Sequence, residues 1–444
     1  MMENAVFRAY RGIMSAAAAV AQVASRVPAA PGSWRALADR LGRLAPTDRA
    51  VATTGTVVWL HAASVGELVA VRPLLRRLRD RFPERLYVVS TATRTGLALA
   101  RTMPEVHLAV LLPLDARGPV RRLLRHFRLE AFLFTETEVW PTLLAELGDA
   151  RVPAFMVSGR VSANTAARTR WLRPLYRRAL AGVICCMQTD VDAQRIIALG
   201  ADPPRVQVAG SLKFDGDHGD PPPDVVRLGR ALGSRRLLVA GSTHPGEDEA
   251  VLDAFRRLLP GRPDLVLLLA PRHPDRMRGA ASAVDAAGLR CVRYSALGEQ
   301  PIEPPVVVLL DVMGVLAHCY PLAVAAFVGG SLVPVGGHNV LEPAAAGRAV
   351  LVGPHTEHAA DVVDRLIAGG GALRVGSAES LAWALAGLLD APDRAVDMGR
   401  RARALVESGQ GAVERHLKII AARLTQTHFA RGPESAAAGM SDGY

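Results

Sequence analysis

The sequence predicts an α/β protein built from two doubly wound, parallel-sheet halves facing a cleft, and three observations carry that expectation. From residue 57 onward, short apolar runs alternate with amphipathic helical stretches. The alternation pauses at 214–234 and then restarts. The stretches on either side of the pause are of similar length. Ligands of open α/β sheets bind beyond the carboxyl ends of the strands, so a cleft between two such halves is the expected active site.

In the first half the apolar runs are VVWLH (57–61), LYVVS (86–90), VHLAVLLP (106–113), AFLFT (131–135), VPAFMVS (152–158) and VICCMQ (183–188). In the second they are RRLLVAGS (235–242), DLVLLLAP (264–271), LRCVRYS (289–295), VVVLLD (306–311), AVAAFVGGS (323–331) and AVLVGP (349–354). Helical patterns such as 68–82 lie between them, with arginines on one face. Pro221, Pro222 and Pro223, set among Gly and Asp, read as a linker. The expected boundaries are an N-terminal membrane-associating helical segment (1–50), a first half (51–215), a linker (216–234), a second half (235–430) and a disordered tail (431–444).

Composition narrows the partners. Lys and Arg outnumber Asp and Glu by 53 to 42, a formal charge of +11, and only Lys213 and Lys418 are lysine. Such an excess favours an anionic partner. The basic residues are scattered and aromatics make up 5% of the chain, which argues against nucleic acid and leaves a membrane surface or an acidic substrate. Four cysteines form no CxxC pair, which suits a reducing compartment with neither a disulfide framework nor a zinc site. His355 and His358 are too isolated for a metal site. No segment reaches the roughly 20 apolar residues of a membrane span. The nearest, 12–25, is alanine-rich, with Arg8 and Arg11 before it and Arg26 after. A signal peptide shares those flanks, but a helix lying on a membrane or a plain soluble helix fits the composition better.

Six constellations could carry chemistry. In WLHAASVGE a strand ends near His61, small residues follow, and Glu67 opens a helix. Glu67 is either an ordinary capping acid favoured by the helix dipole or a base facing the cleft, with Ser64 and Gly66 on the acceptor side. In FTETEVWP, Glu136 and Glu138 end a strand two residues apart. They point the same way if the strand continues and diverge if it turns; a solvated loop is the alternative. In GSLKFD, Lys213 is either an anion-binding group or a surface lysine. In AGSTHPGE, Ser242 and Thr243 form a candidate phosphate turn between a strand and a helix, though no P-loop. In LAPRHP, Arg272 ends a buried strand, where it could clamp a phosphate. In FVGGSLVPVGGHNVLEP, paired glycines make a flexible, backbone-exposing loop. There Asn339 and Glu342 have capping-box spacing and could also hold a nucleotide.

In this order, HAASVGE, TETEVWP, GSLKFD, AGSTHPGE, APRHP, DVMGVL and FVGGSLVPVGGHNVLEPA resemble the bacterial transferases of 3-deoxy-D-manno-oct-2-ulosonic acid (Kdo), glycosyltransferase family 30. The resemblance runs from about Trp59 to Gly411. It implies a GT-B fold of two Rossmann-like domains. It implies transfer of Kdo from CMP-Kdo to the 6′-hydroxyl of a lipid A precursor, lipid IVA, with inversion and loss of CMP. No metal or other cofactor is implied. The implied location is the cytoplasmic face of the bacterial inner membrane, peripheral or N-terminally anchored. The same resemblance makes Glu67 the general base and Glu136 and Lys213 transition-state stabilisers. It assigns CMP contacts to Pro271, Arg272, Met313, Gly314 and Val315, and to Asn339, Val340, Leu341 and Glu342.

Three positions depart from the family pattern. Val315 replaces a Glu that contacts the nucleotide, Val340 replaces a Pro, and Arg94 adds a cation on the acceptor side. Two rivals remain at this level: a GT-B transferase using a UDP- or GDP-sugar, and an inactive lipid-binding protein on the same fold.

Overall fold

A computed structural model describes residues 2–25, 33–162, 165, 172–216, 221–298 and 300–430. The 431–444 tail, expected to be disordered, lies outside them. The chain divides into two compact units. The first runs to Gly216 and resumes at Gln410; the second is Asp217–Gly409.

The first unit is a seven-stranded parallel sheet. Its strands are β1 (Thr56–His61), β2 (Leu86–Thr91), β3 (Leu108–Leu111), β4 (Arg128–Thr135), β5 (Ala154–Gly159), β6 (Ile184–Met187) and β7 (Val206–Val208), in the order β3-β2-β1-β4-β5-β6-β7. Alternate residues of β1 enter opposite cores. Val57 and Trp59 pack on one face with Phe132 and Phe134, Val58 and Leu60 on the other with Leu68 and Leu75. Burial on both faces is why these strands read as unbroken apolar runs.

The second unit repeats the plan with β8 (Arg236–Thr243), β9 (Leu265–Pro271), β10 (Cys291–Arg293), β11 (Val306–Leu309), β12 (Ala323–Val328), β13 (Ala349–Val352) and β14 (Ala372–Arg374). Its order is β10-β11-β9-β8-β12-β13-β14, again parallel. Strand order therefore reverses between β1 and β4 in one sheet and between β8 and β12 in the other. Such switch points open the crevice in which doubly wound sheets bind ligands.

Two boundaries differ from the sequence expectation. The proline cluster does not make the whole of 216–234 a linker. Pro223 starts a helix, Pro223–Leu232, that buries Val225, Leu228 and Leu232 in the second unit. Proline suits a first helical turn because its missing N–H has no intrahelical partner there anyway. The second half also ends earlier than 430. The helix Ala412–Ala430 returns to the first sheet, where Val413, Leu417, Ile420 and Leu424 pack with Leu68, Leu75 and Leu78. Its start is tied to Asp215, whose carboxylate accepts from the N–H groups of Gly411 and Val413.

His416 on that helix is fully buried. Its Nε2 accepts from the Ser158 N–H at 2.9 Å and its Nδ1 lies 2.7 Å from the Ala412 carbonyl. Burial holds the imidazole neutral, with its pKa brought down to about 4. An unfolded histidine titrates near 6.5, so between these values the unfolded chain binds the extra proton. Stability present above about pH 6.5 is thus lost as the pH falls toward about 4, an effect of about 3 kcal/mol. Thermal unfolding followed over that window should show a falling Tm, with a shallower fall in His416→Gln. Equal slopes would remove His416 as the cause.

The N-terminal helix Met2–Ala24 packs on the first unit through Phe7 and Ala18, and Tyr10 donates to Asp115 at 2.8 Å. Its outer face carries Ile13, Val20 and Val23, exposed by 70%, 70% and 62%. Among the described residues no helix is long and apolar enough to cross a membrane. Cys185 and Cys186 are buried in β6, and desolvation pushes their thiols up to about 12.

Candidate active site

In the first unit the candidates gather where β1 and β4 part. β1 ends at His61, and Ala62 and Ala63 lead to Ser64, the N-cap of the helix Val65–Arg81. Ser64 Oγ accepts from the Glu67 N–H at 3.3 Å and donates to Glu67 Oε1 at 3.1 Å. Glu67 Oε2 accepts from the Ala63 N–H at 3.0 Å and from the Thr135 hydroxyl, which hangs from the end of β4. Glu67 therefore belongs to the bonding network of the helix start and sits at the switch point. A carboxylate has about four acceptor positions, and these three donors leave one for a proton. A Cβ at Gly66 would meet nothing nearer than Ser64 Oγ at 3.9 Å. The chain itself does not require glycine there, and the bare backbone leaves room for a ligand.

The strand turns at Glu136, so the two acids diverge. Glu136 has φ 51°, a left-handed conformation that non-glycine residues hold only when their surroundings impose it. Its N–H donates to the Val157 carbonyl at 3.1 Å, and its Oε1 meets Lys213 Nζ at 2.9 Å. Lys213 sits on the turn Leu212–Asp215, held by buried Leu212 and Phe214 on either side. Side chains exposed by 27% and 37% make an ion pair worth about 1 kcal/mol at most, so this one does little for stability. What it does is fix a cation beside the turned acid.

Glu138 points instead to His61, its Oε2 3.8 Å from Nε2. His61 is fully buried. Its Nδ1 lies 3.0 Å from both the carbonyl and the hydroxyl of Ser90, while Nε2 has no hydrogen-bond partner. His61 and Thr135 are site members that motif reading passed over as strand ends. Arg94 is exposed at the start of the helix Arg94–Thr102, and the neighbouring Ala92 N–H donates to the Ala63 carbonyl at 3.0 Å.

In the second unit the candidates lie at the ends of β8, β9, β11 and β12. The turn after β8 is not the phosphate cradle expected of Ser242 and Thr243. Thr243 is fully buried, and Ser242 adopts φ 58°. The N–H groups around the turn already hold an anion, the buried carboxylate of Glu247 that opens the helix Glu247–Leu258. It accepts from His244 at 2.9 Å, Gly330 at 2.6 Å, Ser331 at 2.9 Å and Leu332 at 2.8 Å. Asp248 and Glu249 add two more acids to that helix start. The four N–H groups that Glu247 binds are not available to a ligand phosphate.

The paired glycines also serve packing rather than flexibility. A Cβ at Gly329 would lie 2.5 Å from the Ser242 carbonyl oxygen, and one at Gly336 would lie 2.7 Å from the His358 ring.

The remaining donor-side candidates split by what they expose. Pro271 is buried, while the Arg272 side chain is exposed and its N–H donates to the Thr243 carbonyl at 2.9 Å. Met313 is exposed and Gly314 has φ 85°. Val315 is buried in the core, so only its backbone can face a ligand. Val340 and Leu341 are buried as well. Asn339 Oδ1 accepts from the Leu341 N–H at 3.0 Å, and its Nδ2 donates to Glu342 Oε1 at 3.0 Å. The half-buried Glu342 and the exposed Asn339 are the polar side chains this segment presents. Among the described residues, no cluster of three or more His, Cys, Asp or Glu could hold a metal.

The family model described as 3-Deoxy-D-manno-octulosonic-acid transferase (kdotransferase) matches residues 35–216. The chain is 38% identical over 411 residues to the 3-deoxy-D-manno-octulosonic acid transferase of Bordetella pertussis, covering 89% of this chain and 94% of that one. It is 32% identical over 374 residues to the protein of the same name from Haemophilus influenzae, covering 82% and 86%. A solved structure, the putative UDP-N-acetylglucosamine 2-epimerase of Listeria monocytogenes, matches with TM-score 0.55 at 15% identity. It covers 85% of this chain and 98% of that one, a likeness of fold alone.

Proposed function

Since the chain belongs to the 3-deoxy-D-manno-octulosonic acid transferases, we propose that it moves Kdo from CMP-Kdo to a hydroxyl of the lipid A precursor lipid IVA. The anomeric centre inverts and CMP is released. The observation that carries this reading is the Glu67 carboxylate. It is held by three donors at a sheet switch point with one acceptor position left over. In the proposed step Glu67 takes the proton from the lipid hydroxyl as the oxygen attacks Kdo C2. The bond from C2 to the phosphate oxygen breaks, and its electron pair leaves with CMP. Lys213, fixed by Glu136, supplies a cation for the negative charge that builds as CMP departs. Arg272 supplies a cation for the nucleotide phosphate, and Asn339 with Glu342 offers polar groups to the nucleoside. The positive charge in this step comes from these side chains.

Sugar release measured with CMP-Kdo, UDP-sugars and GDP-sugars in competition, each with lipid acceptor present, tests the donor. Release from CMP-Kdo alone is expected, and turnover of a UDP- or GDP-sugar instead would overturn the donor assignment.

The exposed stripe of Ile13, Val20 and Val23 suits a helix lying in the interface of the inner membrane's cytoplasmic face. These three positions fall within about 80° of one another around a helix of 3.6 residues per turn. Replacing all three by Ser should leave Tm within about 1 °C, because the side chains make little contact with the protein. It should release the chain from anionic vesicles in flotation. Unchanged flotation would rule the stripe out as the membrane contact.

A further inference from the structure

We propose that Ser158 and His416 are positioning residues for the Glu136–Lys213 pair: the left-handed end of β5, held from the returning helix, sets where Lys213 stands for transfer. The inference rests on the transferase reading above and adds two buried residues to it.

Glu136 and Lys213 are 77 positions apart, yet both hang on one corner of the first sheet. The Glu136 N–H donates to the Val157 carbonyl at 3.1 Å. The Leu212 N–H, next to Lys213, donates to Ser158 Oγ at 3.3 Å. The contact of Lys213 Nζ with Glu136 Oε1 at 2.9 Å closes the circuit. A shift of residues 157–158 therefore moves both partners. Ser158 stands at φ 53°, and β5 loses its register with β6 between Met156 and Gly159. A bulged strand end re-aims what hangs from it, and a non-glycine residue keeps a left-handed conformation only where its neighbours impose it.

His416 and Gln188 impose it. The Ser158 N–H donates to His416 Nε2 at 2.9 Å. Nδ1 of the same ring lies 2.7 Å from the Ala412 carbonyl, which can only accept. The neutral ring therefore carries its proton on Nδ1 and leaves Nε2 bare for Ser158. Gln188 Nε2 donates to the Ser158 carbonyl at 3.0 Å and to its Oγ at 3.2 Å. Ser158 and His416 are both buried, so water does not replace a partner lost here.

The helix that carries His416 also grips the Lys213 turn at both ends. Arg415 Nε donates to the Ala209 carbonyl at 2.9 Å, and Asp215 accepts from the Gly411 N–H at 2.7 Å. The lysine stem is flexible, so the place of its charge depends on how firmly the turn is held. A cation fixed before the reaction stabilises developing charge without reorganising.

Lys213 and Lys418 are the two lysines of the chain, and Lys418 is exposed. Reductive methylation of the full chain with ¹³C-formaldehyde gives each a separate NMR signal, and methylation keeps the charge. Lys213→Arg assigns the signals, and Glu136→Gln marks where an unpaired Lys213 resonates. Ser158→Gly removes the hydroxyl, and glycine accepts the left-handed conformation, so the fold is kept. His416→Leu removes the ring acceptor and His416→Gln restores one. Ser158→Gly and His416→Leu are expected to move the Lys213 signal to the unpaired position. They should also lower kcat for sugar transfer about ten- to a hundredfold, the cost of a misplaced group, with KM for CMP-Kdo unchanged. His416→Gln should return both readouts toward wild type. A Lys213 signal unmoved in the folded variants, or already at the unpaired position in wild type, would overturn the inference. So would a moved signal with wild-type kcat. If wild type transfers no Kdo, the transferase reading falls and the Lys213 signal still decides the corner. An unfolded His416→Leu leaves Ser158→Gly to decide by the same readouts.

Discussion

Glu67→Gln should leave the chain folded and lower kcat by about 10²–10⁴, the range for loss of a general base. The amide oxygen can still accept from the Ala63 N–H and the Thr135 hydroxyl, and the Ser64 hydroxyl can rotate to accept from the new NH₂. Helix capping therefore survives, at a cost of about 1 kcal/mol. What the amide cannot do is take a proton from an attacking hydroxyl. Affinity for CMP, whose expected contacts all lie in the second unit, should not change. Steady-state kinetics with CMP titration on the same sample separates the two effects. A variant within about threefold of wild-type kcat would move the base away from Glu67, because a missing base costs at least a hundredfold. Glu67→Ala should lose the same activity and some stability too, since it strands the Ala63 N–H.

Glu247 governs a different outcome. Its buried carboxylate satisfies four backbone N–H groups from two separate loops. Gln at this position turns an NH₂ toward donors that have no freedom to rotate, and Leu leaves all four without partners. Each stranded buried N–H costs about 1–3 kcal/mol, and breaking such a network costs about 3–5 kcal/mol in all. For a unit of this size that corresponds to a Tm lower by about 10 °C. The released loop carries Asn339 and Glu342, so CMP binding should fall with stability. Thermal unfolding and CMP titration of Glu247→Gln check both parts. An unchanged Tm would mean that the N–H groups find other acceptors.

Much of this architecture is written in the local pattern. The six longest apolar runs of the first half became β1–β6, because strands covered on both faces must be apolar throughout. The runs of the second half became β8–β13, though the edge strand β10 is only partly buried. Both missed strands, Val206–Val208 and Ala372–Arg374, are three-residue sheet edges, too short to show a period. The helix Ala412–Ala430 shows that amphipathic spacing tells which face is buried and not against which sheet. Its apolar stripe fits either unit, and only packing with Leu68 and Leu78 sends it to the first.

The site divides along similar lines. Glu67, Glu136 and Lys213 stood out because an acid or lysine at a strand end is conspicuous by type. Glu247 did not: three acids at a helix start look like ordinary dipole compensation, and sequence cannot say which N–H groups one of them will hold. The same blindness made Ser242 and Thr243 look like a phosphate turn. Val315 was legible as a departure, but the burial of its side chain in the core was not. The His416–Ser158 contact joins the returning helix to the end of β5, a long-range fact with no local trace.

The central claim is that this chain places Kdo on a lipid acceptor with Glu67 as the base. Mass spectrometry of lipid IVA after incubation with CMP-Kdo and wild-type protein, beside Glu67→Gln at equal concentration, tests it most directly. The expected result is lipid heavier by one or more whole Kdo residues, with one CMP released per sugar added, and almost no heavier lipid from the variant. Unaltered lipid IVA from a folded, CMP-binding wild-type protein would contradict the claim.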